Sequence, residues 1–327
     1  VRPCSDEDMR VVVLGGTEFI GRRIVEELVA RGDDVLVVHR GRTEPQDWVA
    51  CEHLHVDRAD FGTVAADVRA FRPDAVIDTI ALSQADVDAV LPHLPEAQLV
   101  VLSSMDVYRA FELLKAGANG EPTPLREDSA LRVGRFPYRG QGLGLDDYDK
   151  LDVEPAYLER GGTVLRLAVI YGEHDPQRRE EFVLRRVRAG RTRIPVGPGN
   201  WLWTRCYVGE VAGAVLAALG NDRARGEIFN VGEPHTHDFG TWIRQILAAA
   251  DHEAELVEVP GELLPADLAF TKAHVQHLLF DSSKARDLLG WRPAPVEFGI
   301  ERSVRWHLEN PPAGADTDFG EDDRALA

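Results

Sequence analysis

The sequence predicts a doubly wound parallel α/β sheet with a smaller C-terminal lobe. Three observations predict it. Short apolar runs of strand length alternate with amphipathic segments through the first half of the chain. The first of these runs ends in a cluster of glycines that opens directly into a helix pattern. Beyond residue 170 the alternation becomes shorter and less regular.

The first strand is expected at 10–14, and the helix after it at Arg22–Arg31. Between them stand Gly15, Gly16, Thr17, Glu18, Phe19, Ile20 and Gly21. A buried strand that feeds a helix through a Gly-rich turn holds a dinucleotide pyrophosphate at the helix N-terminus, where backbone N–H groups and the helix dipole meet it. Gly15 suits the tight turn, Gly16 lets a phosphate approach the backbone, and Gly21 lets helix and strand pack closely. Glu18 stands where a third glycine is usual.

The second strand is expected at 34–39, so the first βαβ unit has the expected length of about thirty residues. It ends in His39-Arg40-Gly41-Arg42-Thr43. NAD sites usually place an acid here, on the ribose hydroxyls. Two guanidinium groups suit a 2′-phosphate instead, so Arg40 and Arg42 favour NADP(H) over NAD(H). Glu18, a carboxylate near the same ribose, argues the other way.

Further strands are expected at 52–56, 74–79, 97–103 and 162–168. Asp57, just past the third, is placed either to accept from an adenine amino group or to cap the next helix. In the second half, Arg178–Ala189, Val208–Leu219, Ala285–Gly290 and Val296–Leu308 read as helical, and Glu227–Val231 and Glu255–Val259 as short strands. The expected division is a disordered leader (1–8), a dinucleotide-binding domain (9–170), a substrate lobe (171–313) with some chain returning to the first domain, and a disordered acidic tail (314–327). Substrate would lie between domain and lobe, at the carboxyl ends of the strands.

Composition narrows the function. A net charge of −18 opposes nucleic-acid binding, which requires basic side chains against phosphates. It also means that an anionic substrate needs a local basic pocket. No apolar run approaches the roughly 20 residues of a membrane span, so no membrane partner is expected. Cys4, Cys51 and Cys206 show neither paired nor metal-like spacing, which fits a reducing cytoplasm. The near pairs His53/His55, His235/His237 and His274/His277 lack a supporting ligand pattern, and no metal is expected. Trp201, Trp203 and Arg205 are candidates to meet substrate, with packing as the plainer role.

Taken together, the Gly15–Gly21 turn, Leu102-Ser103-Ser104-Met105-Asp106-Val107-Tyr108, Arg166–Gly172, Tyr207–Ala212, Phe229–Gly232 and Asp281–Ala285 resemble the extended short-chain dehydrogenase/reductase family, of NAD(P)-dependent epimerase/dehydratase type. The resemblance implies a Rossmann-like fold, hydride transfer on a nucleotide sugar or similar hydroxy/keto substrate, and a homodimer through helices near 84–92 and 147–160. It also implies that Ser104 is catalytic, that Asp57 meets adenine, and that Lys150 binds the nicotinamide ribose. Family enzymes carry Tyr-x-x-x-Lys on one helix face; here Asp146 stands four residues before Lys150. Three readings stay open: Tyr148 serves as proton donor, with Asp147 capping a late helix; Tyr138 swings in from a Gly-rich loop; or no tyrosine works and the chain is a non-catalytic nucleotide-binding sensor or interaction protein. Family dehydratases use an acid pair after the catalytic Ser or Thr. Here Met105 replaces the first acid, and Asp106 reads as a loop carboxylate bonded to backbone amides.

Overall fold

The computed structural model describes residues 8–45, 48–314 and 316–327. The leader expected at 1–8 lies outside the described residues, apart from Asp8.

The first half builds the sheet as anticipated. β1 (Arg10–Leu14), α1 (Phe19–Arg31), β2 (Asp34–His39) and β3 (Glu52–His55) are followed by α2 (Ala65–Phe71), β4 (Ala75–Asp78), α3 (Gln84–Val90), β5 (Gln98–Ser104) and α4 (Arg109–Lys115). Then come α5 (Lys150–Glu159), β6 (Thr163–Leu167), β7 (Val169–Tyr171), α6 (Glu181–Arg188) and β8 (Arg193–Val196). The chain ends with β9 (Arg205–Tyr207), α7 (Val208–Ala218), β10 (Ile228–Val231), α8 (Phe239–Ala249), β11 (Glu255–Glu258), α9 (Val296–Glu309) and α10 (Gly320–Ala325).

Seven parallel strands form the central sheet in the order β10-β6-β5-β4-β1-β2-β3. Alternate side chains face opposite layers. Val11, Val13, Val35, Val37 and Ile77 join one core, while Val12, Leu14, Leu36, Val38 and Val76 join the other. Both faces are covered, which explains why the strands read as continuous apolar runs. The order reverses between β1 and β4, and a crevice opens there at the strand C-termini.

Several boundaries differ from expectation. The strand expected at 162–168 splits, because Ala168 N–H still bonds Val231 while Val169 N–H turns to Thr204. β7 thereby leaves the sheet to pair with β9, and starts the smaller lobe. α1 begins three residues early, entered through Phe19 at φ +38°, a left-handed conformation uncommon for a bulky side chain. The segment 285–290 is a single wide π-type turn, stopped by Gly290 at φ +73°. β10 is the segment of the second half that returns to the first domain's sheet.

The disordered tail is corrected. α10 brings Asp322 (1% exposed) against Arg186 (0% exposed), with Nε to Oδ2 at 2.7 Å and Nη2 to Oδ1 at 2.8 Å. Asp267 also pairs with Arg186. A buried guanidinium needs carboxylate partners, and an acidic segment without helical periodicity supplies one of them.

Candidate functional site

The crevice holds two connected cavities. One, of about 490 Å³, is lined by the Gly15–Gly21 turn apart from Gly16, by Arg40 and Arg42 after β2, by Asp57 and Arg58 after β3, and by Thr79 and Ile80 after β4. Gly15 sits at φ +84°, where an added Cβ would press on Ile80 and Thr79. At Gly21 a Cβ would overlap the Gly15 carbonyl oxygen, so only hydrogen fits. The turn is therefore packed too tightly for a side chain at either position; Gly16 is buried against Val25 and Val37 and does not line the cavity, which corrects the expectation that a phosphate approaches there. Glu18 is exposed at the N-cap of α1 and makes no capping hydrogen bond. Arg40 and Arg42 are exposed and form no ion pair among the described residues. Asp57 caps the turn after β3 by accepting from Ala59 N–H at 3.3 Å, and it also lines the cavity, so both anticipated roles are open to it. Arg58 is fixed by Asp78 through bonds of 3.0 and 2.6 Å, which braces the cavity floor.

The second cavity, of about 350 Å³, shares Phe19, Ile20, Thr79 and Leu82 with the first. Ser104, Asp106, Tyr138, Tyr148, Lys150, Arg179 and Trp203 line it. Ser104 ends β5. Asp106, 2% exposed, lies in the short turn after it. Its Oδ2 accepts from Tyr148 at 2.8 Å and from Tyr138 at 3.0 Å, with Ser104 also in hydrogen-bond reach, while Oδ1 is buried with no partner among the described residues. The expectation of a carboxylate bonded to backbone amides is corrected: the partners of this side chain are hydroxyls. Burial raises its pKa, and those hydroxyl bonds only partly oppose the rise. Burial and the neighbouring Asp106 push Tyr148 and Tyr138 well above the ordinary phenol range.

Lys150 is buried, and its Nζ donates to the carbonyls of Ala81 at 2.6 Å and Leu102 at 2.8 Å. An ammonium carries three donors, and the third has no partner among the described residues. Burial lowers its pKa to about 8, with Asp78 and Asp106 opposing, so the group is mostly charged at neutral pH. The helix that carries it begins at Lys150 itself. Its N-cap is Asp149, which accepts from Leu151 N–H at 3.1 Å, and not Asp147 as anticipated. Asp146 and Tyr148 thus precede the helix, and the i, i+4 face that Tyr-x-x-x-Lys requires does not exist at this point. Tyr148 enters the cavity from a turn that its N–H closes onto the Leu145 carbonyl; Asp146 is exposed and accepts from Gly140 N–H.

Arg132 holds this arrangement together. Buried at 4% exposure, it donates to the Asp106 carbonyl at 3.0 Å and to both carboxylate oxygens of Asp149. Burial works against the Asp149 carboxylate, but Arg132 and Arg135 outweigh it and hold its pKa at about 2. Across the cavity, Arg179 is half-buried, with Nε unpartnered among the described residues. It is the local cation that an anionic substrate would need in so acidic a chain.

The model of the NAD dependent epimerase/dehydratase family matches residues 11–121 and 151–232. The chain belongs to that family. The stretch that the family model skips, 122–150, is the one that carries Arg132, Tyr138, Tyr148 and Lys150. Among curated proteins, the chain is 27% identical over 347 residues to the chloroplast stem-loop binding protein of 41 kDa b from Arabidopsis thaliana, covering 99% of this chain and 85% of that one. It is 25% identical over 346 residues to UDP-glucose 4-epimerase of Lacticaseibacillus casei, covering 94% and 98%. The solved UDP-glucose 4-epimerase of Thermus thermophilus, in complex with NAD, superposes with a TM-score of 0.66 at 23% identity, covering 93% and 100%. That likeness shows the shared fold. Among the described residues, no helix is long and apolar enough to cross a membrane.

The structure thus places Ser104 and Lys150, which the family resemblance marks, together with Tyr148 at one end, and Asp57, Arg40, Arg42 and the Gly15–Gly21 turn apart from Gly16 at the other. Of the three lobe candidates only Trp203 lines the reaction end, donating to Met105 Sδ at 3.0 Å. Trp201 is buried in a stack with Phe239 and His274, and Arg205 lies over Phe239 and Trp242. Sequence reasoning missed Arg132 and Arg179. Nothing marks them along the chain, since their meaning comes from burial against Asp149 and beside the cavity. The spacing of His53 and His55 offered no ligand pattern, and the fold sets them beside His39 and Glu44.

Proposed function

We propose that this protein is an oxidoreductase or epimerase that uses a nicotinamide dinucleotide on a small hydroxy or keto substrate, with a nucleotide sugar the class that its relatives favour. One observation carries the reading: Ser104, Asp106, Tyr148 and Lys150 share a cavity that runs into the Gly-turn crevice through Phe19 and Ile20. The donor set fits the cofactor. The turn at Gly15 and the N-terminus of α1 would receive a pyrophosphate, Asp57 would meet an adenine, and Lys150 has a donor left for a ribose. Arg40 and Arg42, without ion pairs among the described residues, offer guanidinium groups for a 2′-phosphate, which supports NADP(H) as the preferred form.

A bound nicotinamide supplies hydride exchange with the substrate carbon; the proton falls to the protein. Ser104 holds the substrate oxygen. Tyr148 donates its proton to that oxygen during reduction and draws a replacement through Asp106, the carboxyl that it touches at 2.8 Å and whose pKa burial raises. Oxidation runs the same relay backwards, with Asp106 ionised. Tyr148 is preferred to Tyr138 because it also lies in reach of Ser104. Arg179 orients an anionic part of the substrate.

The test is NADPH- and NADH-dependent turnover across a panel of keto-sugars and nucleotide sugars, repeated with Ser104→Ala. Cofactor-dependent turnover that collapses in the variant supports the proposal. Cofactor binding without turnover on any member of the panel favours the sensor reading. The stem-loop binding protein of Arabidopsis motivates a gel shift with a stem-loop RNA at physiological salt, and the −18 charge predicts no shift. The homodimer through the helices near 84–92 and 147–160 predicts a mass of twice 36.2 kDa by light scattering.

A further inference from the structure

At the adenosine end of the crevice, where His39 lines the cavity, three histidines and a glutamate converge. We infer that His39, Glu44, His53 and His55 form a binding site for a divalent transition-metal cation of the zinc type, at the β2–β3 edge of the sheet.

The geometry is built by strand register. β2 and β3 pair in parallel with Val37 opposite His53 and His39 opposite His55. His53 and His55, two residues apart on β3, therefore flank His39 at the end of β2. The loop from β2 then returns Glu44 over the cluster. His39 Nε2 lies 2.9 Å from His53 Nδ1 and 3.3 Å from Glu44 Oε1, and His53 Nδ1 lies 4.0 Å from the same oxygen. His55 Nε2 is hydrogen-bonded to Glu44 Oε1, and the four candidate atoms all lie within 4.8 Å of one another. A tetrahedral zinc with ligand bonds near 2.0–2.1 Å holds its donor atoms about 3.3 Å apart, in the middle of this range. Three imidazoles and one carboxylate also form a donor set suited to zinc.

The surroundings fit as well. The outer nitrogen of His53 lies 3.4 Å from Cys51 Sγ, an outer partner that fixes its tautomer with Nδ1 facing inward. One contact must change. Gly41 N–H donates to His39 Nδ1 at 3.1 Å, which leaves the ring proton on Nε2, directed at His53. On loading, that proton moves to Nδ1 and the Gly41 amide turns away. Gly41 is an exposed glycine at φ +73°, so the turn can make this change. His39 also lines the crevice, so the cation would brace the turn that presents Arg40 and Arg42.

The experiment uses the full chain, stripped with chelator and titrated with zinc chloride by calorimetry and native mass spectrometry. One zinc per chain is expected, with an upward shift of the melting temperature on loading. His53→Ala and His55→Ala should each weaken binding by roughly a hundredfold, at least what loss of an outer hydrogen-bond partner costs. His55 and Glu44 are exposed, so His55→Ala and Glu44→Gln keep the metal-free melting temperature and separate ligand loss from misfolding. Cys51→Ser should still take up one zinc, and cobalt in place of zinc should give a four-coordinate visible spectrum without a thiolate charge-transfer band. No stoichiometric zinc uptake, uptake indifferent to His53 and His55, or uptake abolished by Cys51→Ser would overturn the assignment. None of these readouts depends on turnover or on dinucleotide binding.

Discussion

The two ends of the crevice are assembled in opposite ways. The dinucleotide end is local: seven consecutive residues, Gly15 to Gly21, make the turn, and the β2 terminus adds Arg40 and Arg42. The reaction end collects Ser104, Asp106, Tyr138, Tyr148, Lys150 and Arg179 from the end of β5, a long loop, the first turn of α5 and the approach to α6. A local site keeps its spacing because one strand–turn–helix unit fixes it. A dispersed site keeps its chemistry while its spacing drifts, provided that something buried restores the positions. Here that group is Arg132, which ties the Asp106 backbone to the Asp149 cap of α5.

The largest expected effect tests whether the drifted tyrosine has kept its role. Tyr148→Phe should lower turnover by about 10²–10⁴-fold, the usual worth of a positioned proton donor. Tyr138→Phe, which keeps Tyr148 on Asp106, should cost less than about tenfold. Equal losses would show that the two hydroxyls act as one unit.

Next comes the brace. Arg132→Ala leaves the Asp149 carboxylate buried with Arg135 as its remaining ion pair, and should cost about 3 kcal/mol in a denaturant titration, the lower end for breaking a buried pair. Asp149 also sets a pH dependence. Its folded pKa lies below its unfolded value, so its contribution is fully present above about pH 4 and drains as the pH falls toward about 2. In Arg132→Ala this acid-sensitive contribution should shrink.

At the local end, Gly21→Ala forces a shift of the turn and should weaken dinucleotide binding by about 1–3 kcal/mol, the range for overpacking a tight site. It should leave the contact of Tyr148 with Asp106 untouched. Replacing Arg40 and Arg42 together with Ala should cost about 1.5–3 kcal/mol for NADPH and little for NADH, as measured by paired calorimetric titrations. An equal loss for both cofactors would remove the 2′-phosphate role.

The smallest effect is a pH profile. With Asp106 as the proton reserve, reduction is fastest while its carboxyl is protonated and slows as the pH rises through its elevated pKa. Asp106→Asn should be slower at low pH and lack that descending limb.

The same contrast explains what the sequence disclosed. The parallel sheet and the Gly-turn were readable because apolar runs, glycines and helix pattern are contiguous. The role of Tyr148 was readable only as one of three alternatives, since it depends on where α5 begins. Asp147 was the expected cap, and the contacts of Asp149 with Arg132, Arg135 and the Phe136 N–H select Asp149 instead. Asp106 was misread because its partners lie 32 and 42 residues away. The tail was misread for the same reason: Asp322 is ordered by Arg186, a partner that no local pattern announces.

The central claim is that the two ends form one dinucleotide site. Calorimetric titration of the wild type and Lys150→Met with NADPH, and with 2′,5′-ADP, which lacks the nicotinamide half, tests it most directly. The account predicts that Lys150→Met weakens NADPH by about tenfold or more, the loss of one charge-assisted hydrogen bond, and leaves 2′,5′-ADP unchanged. Equal NADPH affinity in both proteins would mean that the nicotinamide does not reach Lys150, and would contradict the claim.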